Sequence, residues 1–370
     1  MSSFQSMDPI VAFTGGGTGG HVFPALAIIE ELRSRGYDRF LWIGSTKGVE
    51  REIVEAAGIP YRAVPAGKLR RYPSLRNVAD LFKVVGGFFA ARRLLAKERP
   101  ALLFSKGGFV SVPPVAAARS LGIPVISHES DLDPGLATRL NARSSRLVLT
   151  GYAETAEAME ARGARALAVG NPVRRAVREG SRENASRWLD ADLDRPLLLV
   201  VGGSLGARQL NEIVSAQLER LTEAFTVVHQ RGEHPAPRQD SRRYVSRPFF
   251  GAEYGDILAR ADLLLCRGGA GTLWEAAVTR TPAVVIPLSA RASRGDQIRN
   301  ASYFAEAGGV VAVSEEDPGA EAVVDALLEL WADRGRYEAA VEALRTLAGA
   351  DPARRISDEI EGLLSEEEEG

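Results

Sequence analysis

Cysteine is almost missing from this chain. Cys266 is the one thiol in 370 residues, which excludes a disulfide framework and any cysteine-built metal cage. It ends an apolar strand pattern and is expected to be buried and inert. Histidine is also scarce: His21, His128, His229 and His234 make four, too scattered for a zinc site, so no metal centre is expected. Neither sign of charge is in excess. Lys and Arg number 46 against 48 Asp and Glu, a net charge of −2, so no global field argues for a nucleic-acid partner. No run of 18 apolar residues occurs, so nothing is expected to span a membrane. The first residues, Met-Ser-Ser-Phe-Gln-Ser-Met-Asp, hold no apolar signal core. Solenoid repeats and low-complexity linkers are absent. A cytoplasmic protein, soluble or peripherally attached, is the expectation.

Glycine, by contrast, is concentrated where it can act. Residues 11–24 run Val-Ala-Phe-Thr-Gly-Gly-Gly-Thr-Gly-Gly-His-Val-Phe-Pro: a short apolar strand, a glycine turn, then a helix carrying Leu26, Ile29 and Leu32. Without Cβ atoms, backbone N–H groups can approach a ligand closely, and the helix head adds partial positive charge. Such a turn suits a phosphate or diphosphate; the plainer reading is a tight βα turn that needs glycine for its shape alone. The pattern recurs at Gly202-Gly203-Ser204-Leu205-Gly206 after Leu197 to Val201, and at Arg267-Gly268-Gly269-Ala270-Gly271-Thr272 after Leu263 to Cys266. A dinucleotide fold would want G-x-G-x-x-G and an acidic residue about 20 positions on. The first loop runs Gly-Gly-Gly-Thr-Gly-Gly, and no acidic residue ends the next strand (Phe40 to Ile43, then Gly44-Ser45), so a nicotinamide cofactor is disfavoured and no cofactor is expected.

Strand and helix patterns alternate throughout. Strands are expected at 10–13, 39–43, 61–64, 101–104, 124–127 and 146–149, then at 197–201, 225–229, 243–246, 262–266, 282–286 and 309–312. This is the pattern of an α/β protein with parallel sheets covered by helices on both faces, repeated as two domains. Val169-Gly170-Asn171-Pro172-Val173 reads as the crossing between them. The tail from Ala353 reads as helix, ending in an acidic, solvated terminus.

Several side chains carry two readings. Glu275, one turn into the helix after the third glycine loop, is either a carboxylate stabilised by the helix dipole or the acceptor for both hydroxyls of a ribose. Asp296-Gln297-Ile298-Arg299-Asn300 opens a helix at the carboxyl end of a strand, where Asp can simply cap and where amides can also grip sugar hydroxyls. His128-Glu129-Ser130-Asp131 follows another strand, as buried caps or as site residues. Asp131-Leu132-Asp133 matches the D-x-D of metal-dependent sugar transferases, a three-letter pattern that chance also supplies at 190–194. Residues 67–93 set Lys68, Arg70, Arg71, Arg92 and Arg93 around an apolar and aromatic face including Phe82, Val85, Phe88 and Phe89. That face is core in an ordinary helix, or an interfacial helix meeting anionic lipid; one helix can bury one stripe and show another.

Taken in order, Gly-Gly-Thr-Gly-Gly-His-x-x-Pro (16–24), Gly-Gly-Phe-Val-Ser-x-Pro (107–113), Gly-Ile-Pro-Val-x-x-His-Glu (122–129), Gly-Asn-Pro-Val-Arg (170–174), Gly-Gly-Ser-x-Gly-Ala (202–207) and Arg-Gly-Gly-Ala-x-Thr-x-x-Glu (267–275) resemble the MurG family within glycosyltransferase family 28. The resemblance covers about residues 9–312. It implies a GT-B fold: two Rossmann-like domains with parallel sheets facing a central cleft. It assigns 1–168 to acceptor and membrane binding, 169–345 to the UDP-sugar and 346–370 to a helix crossing back to the first domain. It implies inverting, metal-independent transfer of N-acetylglucosamine from UDP-N-acetylglucosamine to the muramoyl 4-hydroxyl of undecaprenyl-linked lipid I, giving lipid II at the cytoplasmic face of the inner membrane. Residues 67–93 would meet the anionic membrane.

By position, Thr18, Gly19 and Gly20 would face the sugar donor and the acceptor diphosphate. Arg174 and Ser204 would contact the donor diphosphate, and Phe250 would hold uracil through its backbone. Ala270, Gly271, Thr272, Leu273, Trp274 and Glu275 would hold diphosphate and ribose, with Gln297 on the N-acetylglucosamine and Asp131 at a sugar. His21 would deprotonate or orient the acceptor hydroxyl, an imidazole being suited to that near neutral pH. The chain departs from the family at Ser130-Asp131 (usually Gln-Asn), Leu205 (usually Gln), Gly268 (often Ser) and Asp296 (often His or Gln). Asp131, when ionised, accepts but cannot donate. Two other functions remain open at this point: a GT-B transferase acting on another lipid such as diacylglycerol, and a catalytically degenerate nucleotide-sugar-binding scaffold.

Overall fold

A computed structural model describes residues 9–17, 19–46, 48, 50–67, 75–203, 206–237, 239–290, 295–314 and 319–369. The chain forms two compact units, residues 1–172 with 350–370, and residues 173–349.

In the first unit, β1 (Val11–Thr14), β2 (Phe40–Ser45), β3 (Tyr61–Val64), β4 (Leu102–Ser105), β5 (Val125–Glu129), β6 (Leu147–Thr150) and β7 (Ala166–Ala168) make a seven-stranded sheet in the order β3-β2-β1-β4-β5-β6-β7. Every pairing is parallel, with Val11 opposite Phe40 on one side and Leu102 on the other. The central strands are buried along their whole length, as parallel strands covered on both faces must be. Period-two alternation divides the core. Val11 and Phe13 join Ile28, Ile29, Leu32 and Ile356 on one face, while Ala12 joins Leu41, Leu103, Ala91 and Leu95 on the other.

The closing helix Pro352–Glu369 belongs to this unit and packs on the helix Gly19–Ser34. Ile356, Ile360, Leu363 and Leu364 supply its buried stripe at helical spacing. Arg35 clasps it, donating to Asp358 at 2.7 Å and to Glu361 at 2.5 Å. Residues 346–348 instead end the preceding helix, Arg334–Ala348.

The second unit repeats the plan. β8 (Leu197–Val201), β9 (Thr226–Gln230), β10 (Tyr244–Arg247), β11 (Leu263–Cys266), β12 (Ala283–Val285) and β13 (Val310–Ala312) form a parallel sheet ordered β10-β9-β8-β11-β12-β13. The strand order reverses between β1 and β4 in one sheet and between β8 and β11 in the other. At such a switch point the connections leave to opposite faces and open a crevice beyond the strand ends. Three glycine loops found in the sequence follow β1, β8 and β11, and Gly107-Gly108 follows β4.

The expected strands all form, within a residue or two at their ends, and one more joins them. β7 is Ala-Leu-Ala, half-buried at the sheet edge, too short and too weakly apolar to stand out in the sequence.

Candidate functional site

In the first unit, the loop from β1 turns through Gly16 and Gly17 into the helix Gly19–Ser34. Glu50, fully buried on the next helix, reaches across to it. Its carboxylate accepts from Ser45 N–H at 3.1 Å, Ser45 Oγ at 2.5 Å and Gly17 N–H at 3.4 Å. Gly108, after β4, needs its lack of a side chain. Its φ is +75°, and a Cβ would stand 2.6 Å from the Gly16 carbonyl and 3.5 Å from His21 Cε1. The two glycine loops and the His21 imidazole therefore meet at the switch point. Thr18 lies outside the described residues, and Gly19 and Gly20 open the helix.

The same edge holds a polar network from β5. Glu129 accepts from the backbone N–H groups of Ser130, Asp131 and Gly135 at 2.9, 3.2 and 2.9 Å, and from Thr138 Oγ1 at 2.5 Å. It is a buried cap, and it sets the loop that displays Asp131. Lys106, 2% exposed, donates to Ser130 Oγ, which donates on to Asn171 Oδ1 at 2.7 Å. Burial lowers the Lys106 ammonium to about 8, against the pull of Glu129 and Asp131. His128 donates from Nε2 to the Gly170 carbonyl at 3.0 Å. Burial, with the nearby Lys106 charge, holds His128 neutral, well below its usual range.

In the second unit the loops are arranged differently. The helix Ala270–Thr279 starts at Gly269 with no side-chain cap hydrogen bond and no acidic residue in its first turn. Its head borders a cavity of about 510 Å³ lined by Gly203, Gly206, Arg208, Arg267, Thr272 and Gln297 among others. Four N–H groups at a helix start lack intrahelical partners, so this head offers both donors and positive field to an anion. Gly268 permits close packing beneath it: a Cβ there would lie 2.4 Å from the Gln297 carbonyl. Gln297 Oε1 accepts from Leu288 N–H at 3.0 Å, which holds the side chain at the cavity wall.

Glu275 stands one turn further along that helix. Tyr254 Oη donates to its Oε2 at 3.0 Å, and Arg174 Nη2 is 3.8 Å from its Oε1. Burial pushes the Glu275 carboxyl above its ordinary value, while Arg174 and the Tyr254 hydrogen bond pull it back. Cys266 is buried beneath, its thiol also pushed up by burial.

The neighbouring residues of the sequence-derived set fall into place unevenly. Ala270, Gly271 and Thr272 form the helix head. Leu273 and Trp274 turn their side chains into the core, at 0% and 5% exposure, with Trp274 edge-on to Phe304, so they have only backbone to offer a ligand. Phe250 is buried, and its N–H donates to Gln230 Oε1 at 2.9 Å. Gln230 Nε2 in turn donates to the Gly203 carbonyl at 3.0 Å. Ser204 lies outside the described residues. Glu50, Lys106, Gln230 and Tyr254 escaped the sequence reading because nothing local marks them; each acts on a loop or side chain 20 or more residues away. Among the described residues no group of three His, Cys, Asp or Glu gathers that could hold a metal ion.

Comparison with known proteins accounts for both units. The model of the glycosyltransferase family 28 N-terminal domain matches residues 11–150, and that of its C-terminal domain matches residues 197–356. A Treponema denticola protein described as UDP-N-acetylglucosamine--N-acetylmuramyl-(pentapeptide) pyrophosphoryl-undecaprenol N-acetylglucosamine transferase is 40% identical, covering 97% of this chain and 99% of that one. A Shouchella clausii protein of the same description is 41% identical over 95% of this chain and 98% of its own. Among solved structures, Acinetobacter baumannii MurG is similar at a TM-score of 0.72 and 26% identity, covering 96% of this chain and 99% of that one. The glycosyltransferase of kitacinnamycin shares the fold at a TM-score of 0.72 and 18% identity, over 97% of this chain and all of that one. With both family domains present, in order, on the two units that carry the glycine loops, the chain belongs to glycosyltransferase family 28.

Proposed function

We propose that this chain transfers N-acetylglucosamine from UDP-N-acetylglucosamine to the muramoyl 4-hydroxyl of undecaprenyl-pyrophosphoryl N-acetylmuramyl-pentapeptide (lipid I), giving lipid II for peptidoglycan synthesis. The geometry that carries the reading is the uncapped head of the helix Ala270–Thr279 at the wall of the cavity, with Glu275 one turn along it. The description of the relatives from Treponema denticola and Shouchella clausii supplies donor and acceptor.

The donor diphosphate rests on the amides at Gly269 to Thr272. As UDP leaves, negative charge grows on the β-phosphate, and a fixed helix head stabilises it without reorganising. Arg174 adds its charge, Glu275 accepts from the ribose, and Gln297 holds the sugar. Asp131 accepts from a sugar hydroxyl. His21 takes the proton from the acceptor hydroxyl, a role worth about 10²–10⁴-fold in rate. Purified protein given labelled donor with lipid I and diacylglycerol side by side is expected to label lipid I alone. Labelled diacylglycerol, or tight donor binding with no product, would refute the reading. His21→Ala should lower turnover about a thousandfold while UDP binding persists. Activity is expected to survive EDTA.

The acceptor's lipid tail requires contact with a membrane surface. Among the described residues no helix is long and apolar enough to cross one. The helix Leu75–Glu98 buries Ala91 and Leu95 against the sheet yet shows Phe82, Val85 and Phe89 to solvent, at 74%, 48% and 64% exposure. These three recur at spacings of three and four, on one face. Lys83, Arg92, Arg93 and Lys97 are exposed on the same helix; Lys68, Arg70, Arg71 and Tyr72 lie outside the described residues. Such a face fits peripheral binding to anionic lipid on the cytoplasmic side. Phe82→Glu with Phe89→Glu should abolish co-flotation with phosphatidylglycerol vesicles; unchanged flotation would count against it.

A further inference from the structure

Tyr254 has no task in the donor reading, and its placement asks for one. It opens the helix Tyr254–Arg260 and is 7% exposed. A buried hydroxyl is costly unless hydrogen-bonded, and this one donates a hydrogen bond to Glu275 Oε2 at 3.0 Å. The other carboxylate oxygen, Oε1, is 3.8 Å from Arg174 Nη2. Arg174 Cζ is also 5.7 Å from the centroid of the Tyr254 ring, within cation–π range. Two side chains from separate stretches of chain thus flank the Glu275 carboxylate and meet each other.

A free carboxylate on a helix samples several rotamers and offers its lone pairs in all of them. Here one oxygen is pinned by a largely buried phenol. We propose that Tyr254 is a positioning residue for nucleotide recognition, holding Glu275 Oε2 so that the remaining acceptor sites of the carboxylate are aimed at the ribose hydroxyls of a uridine diphosphate. The proposal rests on the assignment of Glu275 to the ribose. Tyr254 need not touch the nucleotide. Its contribution is to fix the carboxylate's direction and, as a donor to the charged form, to keep it ionised. A protonated carboxyl would present fewer acceptors and compete for the same hydroxyls. The consequence is selectivity for ribose over deoxyribose.

The test is titration calorimetry of the full chain with UDP and with 2′-deoxy-UDP. The unaltered protein is expected to prefer UDP about tenfold, and Glu275→Gln to lose most of that preference. Tyr254→Phe, which removes one oxygen, should weaken UDP about fivefold and leave 2′-deoxy-UDP almost unmoved; Tyr254→Met, also lacking the hydroxyl, should do the same. Equal losses for both ligands, or none for either, overturn the proposal and leave the ribose assignment standing. An unaltered protein indifferent to the 2′-hydroxyl overturns the assignment itself, and the proposal with it.

The pH profile gives a second readout that a merely structural tyrosine would not move. The groups facing the carboxylate are Arg174, Tyr254 and Cys266. The thiol, pushed up by burial, stays neutral across the acid range. Without the phenol the carboxyl protonates at higher pH, so on acidification Tyr254→Phe should begin to lose UDP affinity before the unaltered protein does. Titration of the ligand's own phosphate is common to both proteins and cancels. Coincident profiles overturn the proposal.

Discussion

The two units carry the same loop architecture and differ in what lies against the loops. In the first, buried carboxylates hold particular backbone amides at the carboxyl edge: Glu50 holds Gly17, and Glu129 holds Ser130, Asp131 and Gly135. That unit supplies its own anions, and the result is a set scaffold around His21 and Asp131. In the second, the helix at Gly269 has neither a side-chain cap nor an acid in its first turn. The two halves thus differ in which loop amides a carboxylate of the chain holds rather than in their glycines.

Giving the second unit its own anion should break the contrast most sharply. Gly269 has φ −71°, and nothing lies within 4 Å of a Cβ built there, so Gly269→Asp fits and should cap the helix. UDP affinity should fall about a thousandfold, ~4 kcal/mol, by calorimetry, while the melting temperature holds or rises. Retained affinity would mean the diphosphate does not use this head. The reverse change, Glu129→Ala, strands three amides and the Thr138 hydroxyl. It should cost about 3 kcal/mol by urea unfolding; a loss under about 1 kcal/mol would show that water replaces the carboxylate there.

Proton linkage sharpens the comparison further. His229 lies between Asn211 Oδ1 at 2.8 Å and the Tyr244 hydroxyl at 3.1 Å, and burial pushes it down to about 4. The unfolded chain takes up this proton near 6.5 and the folded second unit only near 4. The stability concerned is complete above 6.5 and is lost as pH falls toward 4, by up to about 3 kcal/mol. His229→Gln should flatten that limb in urea melts between pH 7 and 4. In the first unit, His128 adds loss in the same direction, and Lys106 acts at the alkaline end. The unfolded chain keeps the Lys106 proton to 10.5 while the folded form releases it near 8. Stability relative to Lys106→Met should therefore rise between those two values.

The smallest effect belongs to the clasp on the closing helix. Arg35→Ala should cost about 1 kcal/mol and the loss should shrink in high salt, since Asp358 is 60% exposed. A cost independent of salt would assign the clasp to packing of the Arg35 stem instead.

The strands, the glycine loops and Glu275 were legible in the sequence because each is a local pattern: an apolar run, a gap without Cβ atoms, a carboxylate one turn past a helix start. The order of the motifs was enough to indicate the family. Tertiary structure decided which loop amides are held from within the chain, because that depends on Glu50 reaching a glycine 33 residues away and on Glu129 folding its own loop around itself. Tertiary structure also chose which stripe of the helix Leu75–Glu98 is core and which is shown, and brought Tyr254 against Glu275. Periodicity ranks the faces of one element and says nothing about which other element arrives to cover them. Side-chain partners set by long-range packing are written in no single stretch of the chain.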